Sequence, residues 1–295
     1  TSQNRTNVAS GTYTVTVRDG NNCSATASAV VSQPAAALSS TLAPNSVACF
    51  GGTNGSINNT VSGGTSPYAF VWSNGSISQN LTGVAAGTFT VTVTDNNGCT
   101  ATQTATVTQP AAALTVTPSV TNVTCAGTNN GAVNLTVSGG TSAYNYLWNG
   151  GATTQNRTTL GAGIYTVTVT DSRGCTATTS STITSPAAIS ISLVPTHLTC
   201  FGAGNGSINT TVTGGVAPYT YNWGSGVLTQ NRTSLNAGAY SVTVSDNSGC
   251  TASASVIVTQ PSALTLTMNT GTSVCAQPTG TINPVTNNSG TAPYS

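Results

Sequence analysis

Charge is what this sequence has least of. Charged side chains make up 3% of its 295 residues, where a soluble domain ordinarily carries about 25%. The five cations are all Arg and the four anions all Asp, with no Lys and no Glu. Nucleic acid and anionic lipid are held by clustered Lys and Arg, so neither is an expected partner. No apolar run approaches the roughly 18 residues of a spanning helix, so membrane insertion is not expected, and no secretory signal is recognisable. With one His in the chain, general-base chemistry and metal ligation have little to work with. The expectation is a chain with no cofactor and no metal that is not an enzyme.

Strong helix formers are also scarce. Thr and Val dominate, punctuated by Gly, Pro and Asn, which is a β composition. A net charge near zero and apolar residues in strict alternation argue against disorder.

The organisation comes from an internal repeat. A Gln/Ser-Pro-Ala/Ser marker recurs at Pro34, Pro110, Pro186 and Pro261, a period of 76 residues that shortens by one in the last interval. Between markers the same landmarks return in order. Cys49, Cys125 and Cys200 precede a Gly-rich turn and an Asn-Gly-Ser/Ala-Ile/Val segment. Paired glycines follow at 63–64, 139–140 and 214–215, then aromatic runs that end on Trp72, Trp148 and Trp223. Next come Gln-Asn segments from Gln79, Gln155 and Gln230, and an alternating Thr/Val segment that leads to an Asp and closes on Cys99, Cys175 and Cys250. The chain therefore reads as the C-terminal half of a repeat (1–34), three complete repeats (35–110, 111–186 and 187–261) and the N-terminal half of another (262–295). Thr1 falls inside a repeat, so the segment is expected to come from a longer protein.

Within 35–110 the pattern predicts a short strand at Leu38–Leu42 stopped by Pro44, then a second at Gly55–Val61. A third, Tyr68–Ser73, is turned by Asn74-Gly75 into a fourth at Ile77–Val84. Phe89–Asp95 and Thr100–Thr108 complete the set. Tyr68, Phe70 and Trp72 share one face by the period of two. Short strands with turns every 8–12 residues predict a tandem array of small antiparallel β-sandwiches of immunoglobulin or fibronectin-III type. Trp72, Trp148 and Trp223 are the expected core aromatics.

The eight cysteines include Cys23 and Cys275, one in each half-repeat. The gap inside a repeat stays at 50 residues, while the gap across the Pro-Ala linker varies by one. A cross-link inside a folded domain must keep its register, so the expected disulfides are Cys49–Cys99, Cys125–Cys175 and Cys200–Cys250. Cys23 and Cys275 would then pair outside the segment. A rival scheme joins neighbours across the linker, such as Cys23–Cys49 and Cys99–Cys125. Either scheme requires an oxidising, extracellular compartment.

All four acids (Asp19, Asp95, Asp171 and Asp246) occupy one repeat position before the closing cysteine. Calcium takes six to eight oxygens, usually with several carboxylates, and each repeat offers one, so these are read as turn caps. His197 occurs in one repeat only and is read as a turn or surface residue. Arg5, Arg157 and Arg232 share a position where another repeat has Leu81, which reads as surface packing.

The strings Cys49-Phe-Gly-Gly-Thr-Asn-Gly-Ser-Ile57, Gly63-Gly-Thr-Ser-Pro-Tyr68, Gln79-Asn-Leu-Thr-Gly-Val84 and Gly87-Thr-Phe-Thr-Val-Thr-Val-Thr-Asp-Asn-Asn-Gly-Cys99 resemble the SprB repeat over essentially the whole chain. That repeat occurs in very large surface adhesins of gliding Bacteroidota. The resemblance implies a cell-surface filament that is exported by the type IX system, anchored in the outer membrane through other parts of the protein, and active in gliding motility and substratum attachment. Candidate partners are neighbouring repeats, laterally apposed copies, surface polysaccharide and the motility machinery. The alternative reading is a secreted array with a carbohydrate- or protein-binding site in every repeat.

Overall fold

In the computed structural model, which describes residues 4–270 and 282–286, every regular element is a β-strand. The first complete repeat contributes six: β3 (Ser39–Asn45), β4 (Gly55–Ser62), β5 (Ala69–Trp72), β6 (Leu81–Val84), β7 (Gly87–Thr94) and β8 (Thr100–Val107). Ahead of them lies the hairpin of β1 (Gly11–Arg18) and β2 (Ser24–Val31). The next repeat supplies β9 (Thr115–Thr121), β10 (Gly131–Ser138), β11 (Asn145–Trp148), β12 (Arg157–Leu160), β13 (Gly163–Thr170) and β14 (Thr176–Ile183). The third supplies β15 (Ser190–Thr196), β16 (Gly206–Thr213), β17 (Thr220–Asn222), β18 (Arg232–Leu235), β19 (Gly238–Ser245) and β20 (Thr251–Val258). β21 (Leu266–Thr270) and β22 (Ile282–Thr286) pair antiparallel at the end.

Each complete repeat makes two three-stranded sheets, ordered β3-β4-β6 and β5-β7-β8 in the first and likewise in the others. This is the antiparallel two-sheet arrangement of an immunoglobulin-type sandwich, with the third strand and the last two on one side. Two compact units result. One comprises residues 1–117, 136–153 and 167–179; the other comprises 118–135, 154–166 and 180–295.

Alternation along the strands builds the core. In the first complete repeat Val47, Ile57, Trp72, Leu81, Val91, Val93 and Val107 are buried, with Tyr68, Phe70 and Phe89 packed against them. The Trp72 ring is 2% exposed, and its indole N–H donates to the Ser78 carbonyl, so burial leaves no donor orphaned. Trp148 is equally buried. Trp223 departs from the expectation: it packs against the cluster of Leu198, Ile208, Leu235 and Val258 but stays half-exposed, with Arg232 over its ring.

Three sequence-based strand assignments need correction. Pro44 does not stop the first strand; it lies inside β3, opposite Ile57. β3 is an edge strand, where the missing N–H of proline costs no ladder bond. Asn74-Gly75 does turn the chain, with Gly75 donating to the Trp72 carbonyl and Trp72 to Ser76. The strand that follows does not pair back on β5, because β6 crosses to the other sheet and pairs with β4. That strand also starts at Leu81, not Ile77, since the Gln-Asn ahead of it works through side chains. Gln79 donates to the Asn59 carbonyl and Asn80 accepts the Asn59 N–H, standing in for a backbone rung. Gln155-Asn156 on Leu135 and Gln230-Asn231 on Thr210 repeat the device.

Candidate functional site

The cysteines mark the junctions. Two disulfides join neighbouring repeats: Cys49 with Cys175, Cα atoms 5.7 Å apart, and Cys125 with Cys250, 5.6 Å apart. The leading cysteine of one repeat bonds the closing cysteine of the next. This overturns both the expected pairs within a repeat (Cys49–Cys99, Cys125–Cys175 and Cys200–Cys250) and the linker-spanning rival. Cys23, Cys99 and Cys200 are free and exposed; Cys275 lies outside the described residues.

The reason is geometric. Cys99 immediately precedes β8. The loop that carries Cys49 is tied to the other end of that strand: Val47 donates to the Thr108 carbonyl, and Gly51 to the Gln109 side chain. Eight residues of strand separate the two cysteines by about 26 Å, and a disulfide needs Cα atoms within roughly 7 Å. Each repeat therefore presents one thiol at either end.

The leading loop is rigidly held. Asn54 accepts from the Ala48 N–H, as Asn130 does from Thr124 and Asn205 from Thr199. His197 belongs to the same apparatus, its Nδ1 accepting the Thr259 N–H. Asn122 takes the matching Thr184 N–H in the preceding repeat, so His197 is a strand-end clamp.

The closing cysteine is positioned by its Asp. One oxygen of Asp95 accepts the N–H groups of Asn97 and Cys99, and the other accepts that of Thr65. Asp171 takes Arg173, Cys175 and Thr141; Asp246 takes Ser248, Cys250 and Val216. Asp19 makes the two bonds inside its own turn, to Asn21 and Cys23. The carboxylate thus ties the closing hairpin to the turn after the paired glycines. For Asp95 and Asp246, burial raises the pKa, but the backbone N–H donors outweigh it and hold the group below 3.8. For Asp171 the Thr141 N–H is the leading cause of the same lowering, against opposing burial.

The paired glycines dock the linker. Gly64 donates to the Ala36 carbonyl, Gly140 to Ala112 and Gly215 to Ala187. Gly63 has φ +71°, and a Cβ there would run into the Ala37 carbonyl. The Tyr68 hydroxyl donates to the Gly63 carbonyl.

At each occupied junction the leading loop and the next repeat line a common groove. Cys49 and Phe50 line one with Ala113, Leu114, Gly140 and Cys175. Cys125 and Ala126 line the other with Ala187, Ile189, Gly215 and Cys250.

The Arg position also acts in packing. Arg157 lies over Tyr165 and Arg232 over Tyr240, 5.9 and 5.5 Å from the ring centroids. Tyr165 and Tyr240 donate their hydroxyls to the carbonyls four residues earlier, a tyrosine corner. Where Leu81 replaces the Arg it is buried, and Phe89 replaces the Tyr. Among the described residues no cluster of three or more His, Cys, Asp or Glu is placed to hold a metal.

A family model described as the SprB repeat matches residues 41–77, 117–153 and 192–228. Each match runs from the first strand of a repeat past its aromatic strand; the two half-repeats fall outside it. No curated protein sequence matches the chain significantly. Solved structures similar to it include a three-immunoglobulin segment of titin, at 14% identity and TM-score 0.37, covering 78% of this chain and 99% of that one. Protocadherin gamma B7 cadherin domains 1–4 match at 10% identity and TM-score 0.30, covering 76% and 71%. Domains 4–9 of the surface layer protein SbsC match at 14% and 0.23, covering 80% and 49%.

Proposed function

Because the chain carries the SprB repeat three times in tandem, we propose that it is a structural stalk segment of an extracellular, cell-surface adhesin and not an enzyme. The observation that carries this reading is the staggered disulfide pattern. Each bond bypasses a whole repeat period and part of another, with sequence separations of 126 and 125, and the two overlap. Through both bonds the shortest covalent path from Cys49 to Cys250 is about 50 residues, or about 170 Å when fully extended. The reduced chain between the same two residues would reach about 700 Å. Disulfides persist outside the cytosol, which supports the extracellular assignment. Attachment to a substratum during gliding, with export and outer-membrane anchoring supplied by other parts of the parent protein, is the finer reading; the family resemblance supports it.

Single-molecule stretching of the chain between its termini tests the stalk. Reduction is expected to release about 500 Å of additional contour. An unchanged contour length on reduction would contradict it.

A further inference from the structure

Among the closing cysteines of the three complete repeats, Cys99 is the one that is free, and its surroundings match those of its paired counterparts. Cys175 and Cys250 occupy the same repeat position, and both are bonded to the loop of the repeat directly ahead. Around Cys99 lies an open groove of about 410 Å³, lined by Pro34, Ala36, Leu38, Gly64 and Asp95. All five have repeat counterparts in the groove at the Cys125–Cys250 junction, and Leu38 and Gly64 also have them at the Cys49–Cys175 junction. Phe50 lines the first junction, where about 190 Å³ stays open, and Ala126 lines the second, where about 380 Å³ stays open. Asp95 holds the Cys99 N–H through its carboxylate at 2.8 Å, as Asp171 holds Cys175 at 2.9 Å, so the backbone at Cys99 is held as that of its bonded counterpart is.

We propose that this groove is a docking socket for the leading-cysteine loop, Cys-Phe/Ala-Gly, of the like repeat directly ahead of it, and that Cys99 closes a disulfide with that loop. The same rule makes Cys200 an outgoing thiol that seeks the socket of the repeat behind it. The oxidation is balanced by thiol–disulfide exchange. A small-molecule disulfide such as oxidised glutathione takes two electrons and two protons from the pair of thiols, one S–S bond forms, and two glutathione thiols leave.

The test uses the whole chain and a synthetic peptide of residues 46–55, mixed with oxidised glutathione. Adducts are located by peptic digestion and mass spectrometry. The peptide is expected to attach at Cys99 at least about tenfold faster than at Cys200 or Cys23, because docking raises its effective concentration there. A peptide carrying Phe50→Ala should be slower at Cys99, and a scrambled peptide should show no preference. The glutathione mixed disulfide at Cys99 is the intermediate of this exchange; even labelling of the three thiols by the peptide, or Cys99–Cys99 dimers of the chain in place of peptide attachment, would each overturn the proposal.

Discussion

Cys99 immediately precedes β8, and the loop bearing Cys49 is fastened to the far end of that strand by Thr108 and Gln109. One sandwich thus carries an incoming thiol at one end and an outgoing thiol at the other. Each leading cysteine of a bonded pair is joined to the closing hairpin of the next repeat, where an Asp with three backbone donors holds the receiving cysteine.

That Asp makes stability acid-sensitive in a defined window. The native pKa of Asp246 lies below its ordinary 3.8, so the unfolded chain binds the proton more readily. The contribution is complete at neutral pH, declines as pH falls past 3.8, and is lost below the native pKa. Asp246→Asn should lower the thermal midpoint at pH 7 and flatten its dependence on pH below 4, as read by circular dichroism melts. A variant as acid-sensitive as the parent would contradict the assignment.

Gly63 and Gly75 separate backbone conformation from close approach. Both have positive φ, but a Cβ at Gly75 meets nothing within 4 Å whereas one at Gly63 meets the Ala37 carbonyl. Gly75→Ala should cost about 1–2 kcal/mol. Gly63→Ala should cost clearly more, because the linker must shift as well. Denaturant titration of the two variants compares them directly.

The tryptophans should differ in energy. Trp72→Ala removes a side chain that is 2% exposed and should cost about 3–5 kcal/mol. Trp223→Ala, at a half-exposed site, should cost on the order of 1–2 kcal/mol. Single-tryptophan variants give an independent reading: acrylamide should quench Trp223 far more readily than Trp72.

The Arg–Tyr and Leu–Phe pairs are alternative solutions to one packing problem. Tyr165→Phe alone should lose about 1 kcal/mol with its hydroxyl bond. Arg157→Leu combined with Tyr165→Phe should recover part of that loss, as a positive coupling in a double-mutant cycle.

Much of the sandwich was legible in the sequence because period-two alternation reports directly on which face is buried: Val91 and Val93 are fully enclosed as their spacing requires. The Pro44 and β6 assignments failed because each depended on a strand's place in its sheet: Pro44 is tolerated at an edge, and the turn at Asn74-Gly75 says how the chain bends, not that β6 joins β4. The constant 50-residue cysteine gap carried a true message, that both residues are fixed on one fold. It could not say that they sit at opposite ends of it, because the clamp of Gln109 on the leading loop is a contact between residues 58 apart. The role of His197 was hidden in the same way, since Asn122 does its work in the preceding repeat.

The central claim is the staggered connectivity, and direct mapping of the disulfides tests it. The protein, alkylated without reduction and digested with pepsin at acid pH, where thiolate attack is suppressed, should yield linked peptides that join Cys49 to Cys175 and Cys125 to Cys250. Peptides that join Cys49 to Cys99, or Cys99 to Cys125, would contradict it.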